Sequence, residues 1–311
     1  MRSQPILLFC AVLGRQLVCV ADKGHEMHAD HPKLLSLRQS LLSRVNPRGS
    51  NSTSAKPLYV HLHIPKCAGA TVFATRGAFV GASRDCGLRS CCAPEAKVLD
   101  SFLRAWNGQC DWISYEMAMD VPRIILPPTA RLITFLRNPE ALLISTIGHD
   151  MRKSRAASAT EWLAQRLRGY RPEESLFLSG GRQAHYLCGG GGGPWPSIPL
   201  PARINITRLA SCAIASLHSN FFFVGLVEEL DASLHYLAVA TGAGSFTNKT
   251  TPDKHRNYAN RFSSGVAIKD ELEQHGGIPD SWIGADRLLY AAAEKKFFEA
   301  TAMPVMPRAR G

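Results

Sequence analysis

The chain has 311 residues, of which 45% are hydrophobic and 20% are charged, and it carries a formal net charge of +11. This length and hydrophobic content suit one large α/β domain or two small ones and exclude a globally disordered chain. The basic residues are scattered, and aromatic residues do not alternate with them, which excludes a nucleic-acid-binding arm. We therefore expect an anionic substrate and no nucleic-acid partner.

The first 21 residues have the composition of a targeting segment. Residues 1–21 contain Arg2 but no acidic residue, and an apolar run extends over Ile6–Leu13. Cys19 and Ala21 fit the small-residue positions before a signal-peptidase cleavage site. The segment predicts a cleaved signal peptide or, as second choice, a short signal anchor, because the run is too short and too broken for a good membrane span. Membrane attachment is expected only through this segment.

The residues that follow are consistent with passage through the secretory pathway. Asn51, Asn205 and Asn248 each begin a tripeptide of the N-glycosylation type. Residues 22–56 are polar and end in a stretch of linker composition, which predicts a stem, and residues 57–311 are then the main domain.

Nine cysteines are many for a cytosolic protein of this size and indicate disulfides. Cys10 and Cys19 belong to the targeting segment, and Cys67 lies in a candidate binding loop. The other six could form three bridges in any of 15 pairings, which we leave open. A zinc site is the alternative, but no Cys-x-x-Cys pair occurs with a matching His or Cys pair. The six are Cys86, Cys91, Cys92, Cys110, Cys188 and Cys212.

Apolar runs bounded by turn residues predict four strands. The first, Leu58–Ile64, has histidines at alternate positions and ends at Pro65. Cys110–Glu116 and Arg131–Leu136 follow, and Phe221–Leu226 is wholly apolar, as expected of a central strand in a parallel sheet.

Helical patterns lie between these strands, and Leu187–Pro201 has the glycine content of a flexible loop. Strands that alternate with helices predict an α/β fold with a central parallel sheet flanked by helices. The predicted helices are Thr71–Val80, Lys97–Trp106, Glu140–Lys153, Thr160–Arg168, Glu228–Thr241 and Asp286–Ala300.

The turn after the first strand predicts an anion-binding loop. Lys66 is followed by the small residues Ala68, Gly69 and Ala70, and Thr71 opens a helix. Backbone N–H groups at a helix N-terminus converge on an oxyanion, and the lysine adds a point charge. A nucleotide-triphosphatase P-loop is excluded, because its lysine follows the glycines whereas Lys66 precedes Gly69. An ordinary strand-turn-helix corner with an exposed lysine is the alternative.

The third strand ends in a second candidate phosphate site. Arg137 follows this strand, and Ser145 lies eight residues later in the next predicted helix. An arginine fork and a hydroxyl carried on a helix can hold a terminal phosphate from two sides.

Four segments together resemble the carbohydrate sulfotransferases that use 3′-phosphoadenosine 5′-phosphosulfate (PAPS). The loop at Pro65–Thr71 resembles their 5′-phosphosulfate loop, and Leu-Arg-x-Pro with a serine eight residues after the arginine resembles their 3′-phosphate signature. Residues 183–189 (QAHYLCG) and 220–237 (NFFFVGLVEELDASLHYL) resemble segments of the Golgi branch, which contains the heparan sulfate 2-O and chondroitin/dermatan types. The resemblance spans roughly residues 57–300.

This resemblance implies a sulfotransferase fold of the P-loop-NTPase-like type and assigns roles to particular residues. Lys66 would bind the 5′-phosphosulfate and stabilise the leaving group, and the backbone from Ala68 to Thr71, with the Thr71 hydroxyl, would hold the 5′-phosphate. Arg137 and Ser145 would hold the 3′-phosphate. PAPS would be the co-substrate, and no metal would be required, because loop amides and Lys66 supply the positive charge.

The chain departs from the family pattern at the loop and at the base. Cys67 and Ala70 stand where hydroxyl residues are usual, and the usual histidine base is replaced by a Ser-Tyr-Glu patch ending at Glu116. Glu116 is therefore the candidate base. His63 and His149 are weaker candidates.

The resemblance implies sulfuryl transfer from PAPS to a hydroxyl of a carbohydrate acceptor in the Golgi lumen, with secretion as the second choice of location. The altered loop and base motivate an alternative, a catalytically inactive lumenal glycan-binding protein on the same scaffold. A nucleotide kinase is excluded because its loop lysine and Mg²⁺ ligand are missing.

Overall fold

The computed structural model describes residues 8–13, 16–21, 57–80, 104, 109–115, 126, 130–154, 158–162, 164, 181–188, 205–243 and 263–302. The predicted stem, the predicted helix Lys97–Trp106 apart from Arg104, and the Leu187–Pro201 loop beyond Cys188 lie outside the described residues.

The chain begins with an antiparallel hairpin of β1 (Leu8–Leu13) and β2 (Gln16–Ala21). Both strands fall within residues 1–21, where a signal peptide or signal anchor is predicted, and that assignment stays a prediction. Among the described helices, none has both the length and the apolar character needed to cross a membrane.

The main domain is built on a four-stranded parallel sheet, as predicted. Its strands are β3 (Leu58–Leu62), β4 (Trp112–Tyr115), β5 (Ala130–Leu136) and β6 (Phe221–Leu226). Their spatial order is β4-β3-β5-β6, and every neighbouring pair is parallel. Their carboxyl ends therefore meet at one edge of the sheet, where ligands bind in open α/β sheets. The predicted central position of Phe221–Leu226 is wrong, since β6 is an edge strand of the described sheet and its Phe222 is exposed.

Helices cover both faces of this sheet, so the predicted α/β class is confirmed. The described helices are α1 (Gly69–Val80), α2 (Pro139–Ser154), α3 (Arg182–Cys188), α4 (Ile206–Asn220), α5 (Leu230–Thr241), α6 (Ser263–Gln274) and α7 (Asp280–Ala302).

The period-two alternation of the strands divides the core between the two faces. Val60 and Leu62 pack with residues of α3, α4 and α7. Tyr59 and Phe135 point the other way and pack with residues of α1 and α5. A smaller cluster around Trp162 joins α2 to α6.

Several predicted boundaries need correction. β3 ends at Leu62 instead of Ile64, since the chain turns at residues 65–68, although the His63 amide still donates to Tyr115 O at 2.8 Å. Helix α1 begins at Gly69, two residues earlier than predicted. Helix α7 begins at Asp280 instead of Asp286, directly after Pro279.

Helices α3, α4 and α6 were not predicted. The predicted Leu187–Pro201 loop is wrong at its start, since Leu187 and Cys188 end α3. The predicted helix Thr160–Arg168 agrees with the helical residues 159–162 and 164.

Cys67 is separate from the disulfide-bonded cysteines, as expected. Cys188 at the end of α3 is disulfide-bonded to Cys212 in α4, and Cys110 is also disulfide-bonded. Cys67 is a free, buried thiol. Cys86, Cys91 and Cys92 lie outside the described residues, and their pairing stays open.

Candidate anion-binding site

The loop between β3 and α1 has the backbone shape of an anion-binding nest. Lys66 and Ala68 adopt left-handed conformations, with φ of 72° and 55°. Such turns aim successive N–H groups into one concavity. Among the described residues, the amides of Ala68, Gly69 and Ala70 have no hydrogen-bond acceptor.

Thr71 contributes less backbone to this concavity than the sequence suggests. Its amide donates to Ala68 O at 2.9 Å, and the Val72 amide donates to the same oxygen at 3.0 Å. At Thr71 only the half-buried side chain remains available to a ligand.

Gly69 lets His63 pack directly on the loop. A Cβ atom added to Gly69 would lie 1.9 Å from Nε2 of His63, so no other residue fits without moving the imidazole. The His63 ring therefore lies against the first residue of α1, beside the amides of the nest.

Arg137, directly after β5, connects the second motif to this loop. Its Nη1 donates to the carbonyl oxygen of Lys66 at 3.2 Å. Its Nε is buried without a hydrogen-bond acceptor. Buried charged donors normally have a hydrogen-bond acceptor, so an oxygen of a ligand could accept a hydrogen bond from this Nε.

The backbone of Arg137 is held by a residue of α3. The Arg137 amide donates to Oε1 of Gln183 at 2.8 Å, and Nε2 of Gln183 donates to Arg137 O at 2.8 Å. The Cys67 thiol also donates to Oε1 of Gln183, at 3.6 Å.

The next residue, Asn138, caps helix α2. Its Oδ1 accepts from the amides of Glu140 and Ala141, each at 3.1 Å, as an N-cap side chain does. Its own amide donates to Glu228, which also accepts the Tyr290 hydroxyl at 2.7 Å. These bonds fix the direction in which α2 leaves the sheet.

Helix α2 carries Ser145, which is half-buried. The N-terminus of this helix lies beside Arg137 in sequence and is capped as described, so Ser145 stands about two turns from the arginine. Its role as a 3′-phosphate ligand stays a prediction.

Burial and nearby cations change the acid-base properties of the loop. Burial, followed by the positive charges of Arg182 and Lys66, lowers the pKa of His63 to about 4. Burial also raises the pKa of the Cys67 thiol to about 12. At neutral pH the imidazole is therefore neutral, whereas Cys67 is a protonated core residue and no nucleophile.

The described structure thus brings together most of the predicted binding residues. Lys66, the loop after it and Arg137 meet at the carboxyl edge of the sheet. Glu116, the candidate base, directly follows β4 and lies outside the described residues. His149 is half-buried in the last part of α2. Within the described ranges no group of three or more His, Cys, Asp or Glu side chains could hold a metal ion.

Sequence reasoning missed three polar residues of this region. Gln183 lies in residues 183–189, which resemble a segment of the family, but the resemblance implies no role for it. Asp286 was assigned only to a helix, although an acid within an apolar helical face signals a buried contact. Asn138 precedes Pro139 and a helical pattern, which is a recognisable N-cap signal.

Comparisons with known proteins add little. No protein-family model and no curated protein match the chain. Among solved structures it is similar to a sulfotransferase from Alicyclobacillus acidocaldarius, with 18% identity and a TM-score of 0.34, over 74% of this chain and 99% of that one. Values this low support no conclusion about activity, so the proposal below depends on the residues of this chain.

Proposed function

We propose that this protein transfers a sulfuryl group from PAPS to a hydroxyl of a carbohydrate acceptor. The observation that carries the proposal is the hydrogen bond between Arg137 and Lys66 O. It joins two segments, far apart in sequence, that resemble the two phosphate-binding motifs of one family.

The loop would bind the 5′-phosphosulfate. The amides of Ala68, Gly69 and Ala70, which have no acceptor among the described residues, lie at the start of α1, where the helix dipole favours negative charge. The Lys66 ammonium would add a full positive charge, and the Thr71 hydroxyl one further donor. Cys67 points into the core, so the loss of a hydroxyl at that position takes no donor from the anion.

Arg137 and Ser145 would bind the 3′-phosphate. The buried Nε of Arg137 lacks an acceptor, and a phosphate oxygen would supply one in a charge-assisted hydrogen bond. Because Nη1 is already bonded to the loop, one guanidinium would contact both the backbone of the first motif and the ligand of the second.

The reaction would be an in-line displacement at sulfur. The acceptor oxygen forms a bond to sulfur as the bond from sulfur to the bridging phosphate oxygen breaks. Glu116 takes the proton of the hydroxyl, and Lys66 stabilises the charge on the departing oxygen. The products are a sulfate ester and adenosine 3′,5′-bisphosphate.

His63 is the described residue that competes with Glu116 for the role of base. It is neutral at pH 7 and lies on the loop. Its pKa of about 4 is close to the ordinary pKa of a glutamate, so basicity does not choose between them, and Glu116 is preferred on the family resemblance alone.

We place the protein in the lumen of the secretory pathway, in the Golgi, with the N-terminal segment as its targeting signal. The Cys188–Cys212 bond supports an oxidising compartment. Asn205, an N-glycosylation candidate, is exposed, as such an acceptor must be.

The deciding experiment combines binding and transfer. Calorimetry should detect binding of adenosine 3′,5′-bisphosphate, and radiolabelled sulfate should pass from PAPS to at least one member of a panel of desulfated glycans. Absence of both nucleotide binding and transfer would refute the proposal.

The second candidate is a glycan-binding protein on this scaffold without donor chemistry. The observation in its favour is Ala70, which is exposed beside the nest and offers no hydroxyl to the phosphate. Glycan binding without any affinity for adenosine 3′,5′-bisphosphate would select this candidate.

A further inference from the structure

Gln183 forms an unusual junction with the end of β5. Its side chain is completely buried, and its amide exchanges two hydrogen bonds with the backbone of Arg137, both at 2.8 Å. A carboxamide carries one acceptor and one donor group in a plane, as a peptide group does. The side chain therefore pairs with Arg137 as a neighbouring strand would.

The same carboxamide also contacts the anion-binding loop between β3 and α1. Oε1 of Gln183 accepts the Cys67 thiol at 3.6 Å, and Cys67 directly follows Lys66. One buried side chain thus contacts the Cys67 thiol on the loop side and the backbone of Arg137 on the other side. These two segments are the ones that would bind opposite ends of the donor.

Asp286 of α7 holds Gln183 in this place. Its carboxylate accepts from the amides of Gln183 and Ala184, at 3.1 and 2.7 Å. Gly181, with φ of 144°, permits the close approach, because a Cβ there would lie 2.4 Å from Oδ1 of Asp286. The start of α3 is therefore fixed relative to α7, and the Gln183 side chain is directed at β5.

We propose that Gln183 is a positioning residue that sets the distance between the phosphosulfate loop and Arg137. The proposal rests on the proposed function, since it assumes that a nucleotide spans the two motifs. Gln183 touches no reacting atom in this account. It acts on donor binding through Arg137 and Cys67.

The rival interpretation is that Gln183 only stabilises the fold. Ser233 provides a matched control, because its buried hydroxyl accepts from Leu226 N at 2.9 Å and donates to Leu226 O at 3.1 Å. Ser233 thus hydrogen-bonds to both backbone groups of the last residue of β6, as Gln183 does to those of the residue after β5. Ser233 has no contact with the candidate site among the described residues.

The test is a double-mutant cycle for binding of adenosine 3′,5′-bisphosphate. The variants are Gln183→Met, which keeps the length but loses the hydrogen bonds to the Arg137 backbone and to the Cys67 thiol, Arg137→Lys, and the two combined. Gln183→Met should weaken binding roughly tenfold, because Arg137 loses the backbone contacts that orient it. In the Arg137→Lys background the same change should have an effect of less than about twofold, because the group being positioned is already lost.

Ser233→Ala should change affinity by less than about twofold in either background. Circular dichroism and thermal unfolding confirm that each variant is folded. Gln183→Glu keeps one acceptor but cannot donate to Arg137 O, so it serves as a second probe if the methionine variant does not fold. In turnover assays, Gln183→Glu should raise KM for PAPS more than it lowers kcat.

The outcomes separate the two proposals. Equal losses from Gln183→Met in both backgrounds, or a loss matched by Ser233→Ala, would assign Gln183 a structural role and leave the proposed function intact. Wild-type protein that neither binds the bisphosphate nor transfers sulfate would overturn the proposed function, and the positioning role with it; transfer without detectable bisphosphate binding would overturn the positioning role alone. A loss of affinity that occurs with Gln183→Met but not with Ser233→Ala, and that is smaller in the Arg137→Lys background, would support both the proposed function and the positioning role.

Discussion

Arg137 and Lys66, separated by 71 positions in the sequence, are joined by a 3.2 Å hydrogen bond from Nη1 to the backbone carbonyl. The bond fixes the left-handed turn at Lys66 against the end of β5. A ligand that contacts Arg137 therefore meets a loop whose position the same guanidinium helps to determine.

Arg137→Lys should weaken binding of adenosine 3′,5′-bisphosphate although the charge is kept, because lysine cannot offer a planar fork. Losing a charge-assisted hydrogen bond in a closed site costs about 1.5–3 kcal/mol, which is roughly ten- to a hundredfold in affinity. Calorimetry with adenosine 5′-phosphosulfate, which lacks the 3′-phosphate, should show a much smaller loss.

Arg131→Lys is the control for that measurement. Arg131 lies at the other end of β5, where its guanidinium stacks 4.9 Å from the ring centre of Phe222, and it should leave both affinities unchanged. Equal losses of the two nucleotides in Arg137→Lys would remove Arg137 from the 3′-phosphate site.

Gly69→Ala should abolish nucleotide binding. The new methyl group would lie within 2.4 Å of three atoms of the His63 ring, so the imidazole or the loop must move. The control is Gly284→Ala in α7, whose Cβ would meet side-chain atoms of Ile206 and Asp280 at 3.2 Å or more. Calorimetry on both variants checks the prediction, and normal binding by Gly69→Ala would show that the His63 contact does not shape the nest.

The pKa of His63 should rise when an anion binds. Burial, Arg182 and Lys66 lower it to about 4 in the free protein, and a bound phosphosulfate or bisphosphate offsets the two positive charges. NMR titration of the imidazole with and without adenosine 3′,5′-bisphosphate measures the shift. An unchanged pKa at saturating nucleotide would place the anion away from His63.

His63 should also make stability depend on pH. Its folded pKa of about 4 lies below the ordinary value of 6.5, so the unfolded chain binds more protons between these values. The free energy of unfolding should decrease as pH falls from about 6.5 through 4, and part of this slope should vanish in His63→Gln.

Other groups also contribute to that slope. Burial, followed by the charge of His63, lowers the pKa of His61, which adds in the same direction and is reduced in part by His63→Gln. Burial raises the pKa of Asp286 to about 7, so its contribution is instead lost as pH rises through 7. Denaturant unfolding at several pH values measures the difference, and parallel curves for the two proteins would contradict the prediction.

Glu116→Gln should lower kcat roughly a hundredfold or more while leaving nucleotide affinity unchanged, as expected for loss of a general base. His63→Gln serves as the comparison and should affect affinity more than kcat. Steady-state kinetics with PAPS and an accepted glycan distinguish the two. The reverse pattern would reassign the base to His63.

The sheet could be predicted from the sequence because its strands are short apolar runs that end at clear signals. The run from Leu58 leads into Pro65, the run from Arg131 leads into Pro139, and Phe221–Leu226 was predicted at its observed bounds. Arg137 and Lys66 could be placed at the same edge because parallel strands share their carboxyl edge.

Helices α3 and α4 escaped prediction for different reasons. Helix α3 has only seven residues and adjoins a glycine-rich stretch, and the composition of that stretch predicts a loop. Helix α4 did carry signals, since Leu209, Ala213 and Leu217 recur at helical spacing and are buried. Its cap, Asn205, accepts from Arg208 N, but the same residue was interpreted only as a glycosylation acceptor.

The connections of the site could not be predicted from the chain alone. Cys67 and Gln183 lie 116 positions apart, and Gln183 and Asp286 lie 103 apart. Such contacts depend on how α3 and α7 pack over the sheet, which local periodicity does not encode.

Asp286 is the last contributor to this arrangement along the chain, and that order matters during synthesis. The anion loop and β5 leave the ribosome early, because domains are made from the N-terminus. Until residue 286 has emerged, the amides of Gln183 and Ala184 lack the carboxylate that holds them. A premature stop codon shortly before Asp286 would therefore yield a polypeptide that still contains both candidate phosphate motifs but lacks the carboxylate that holds the start of α3.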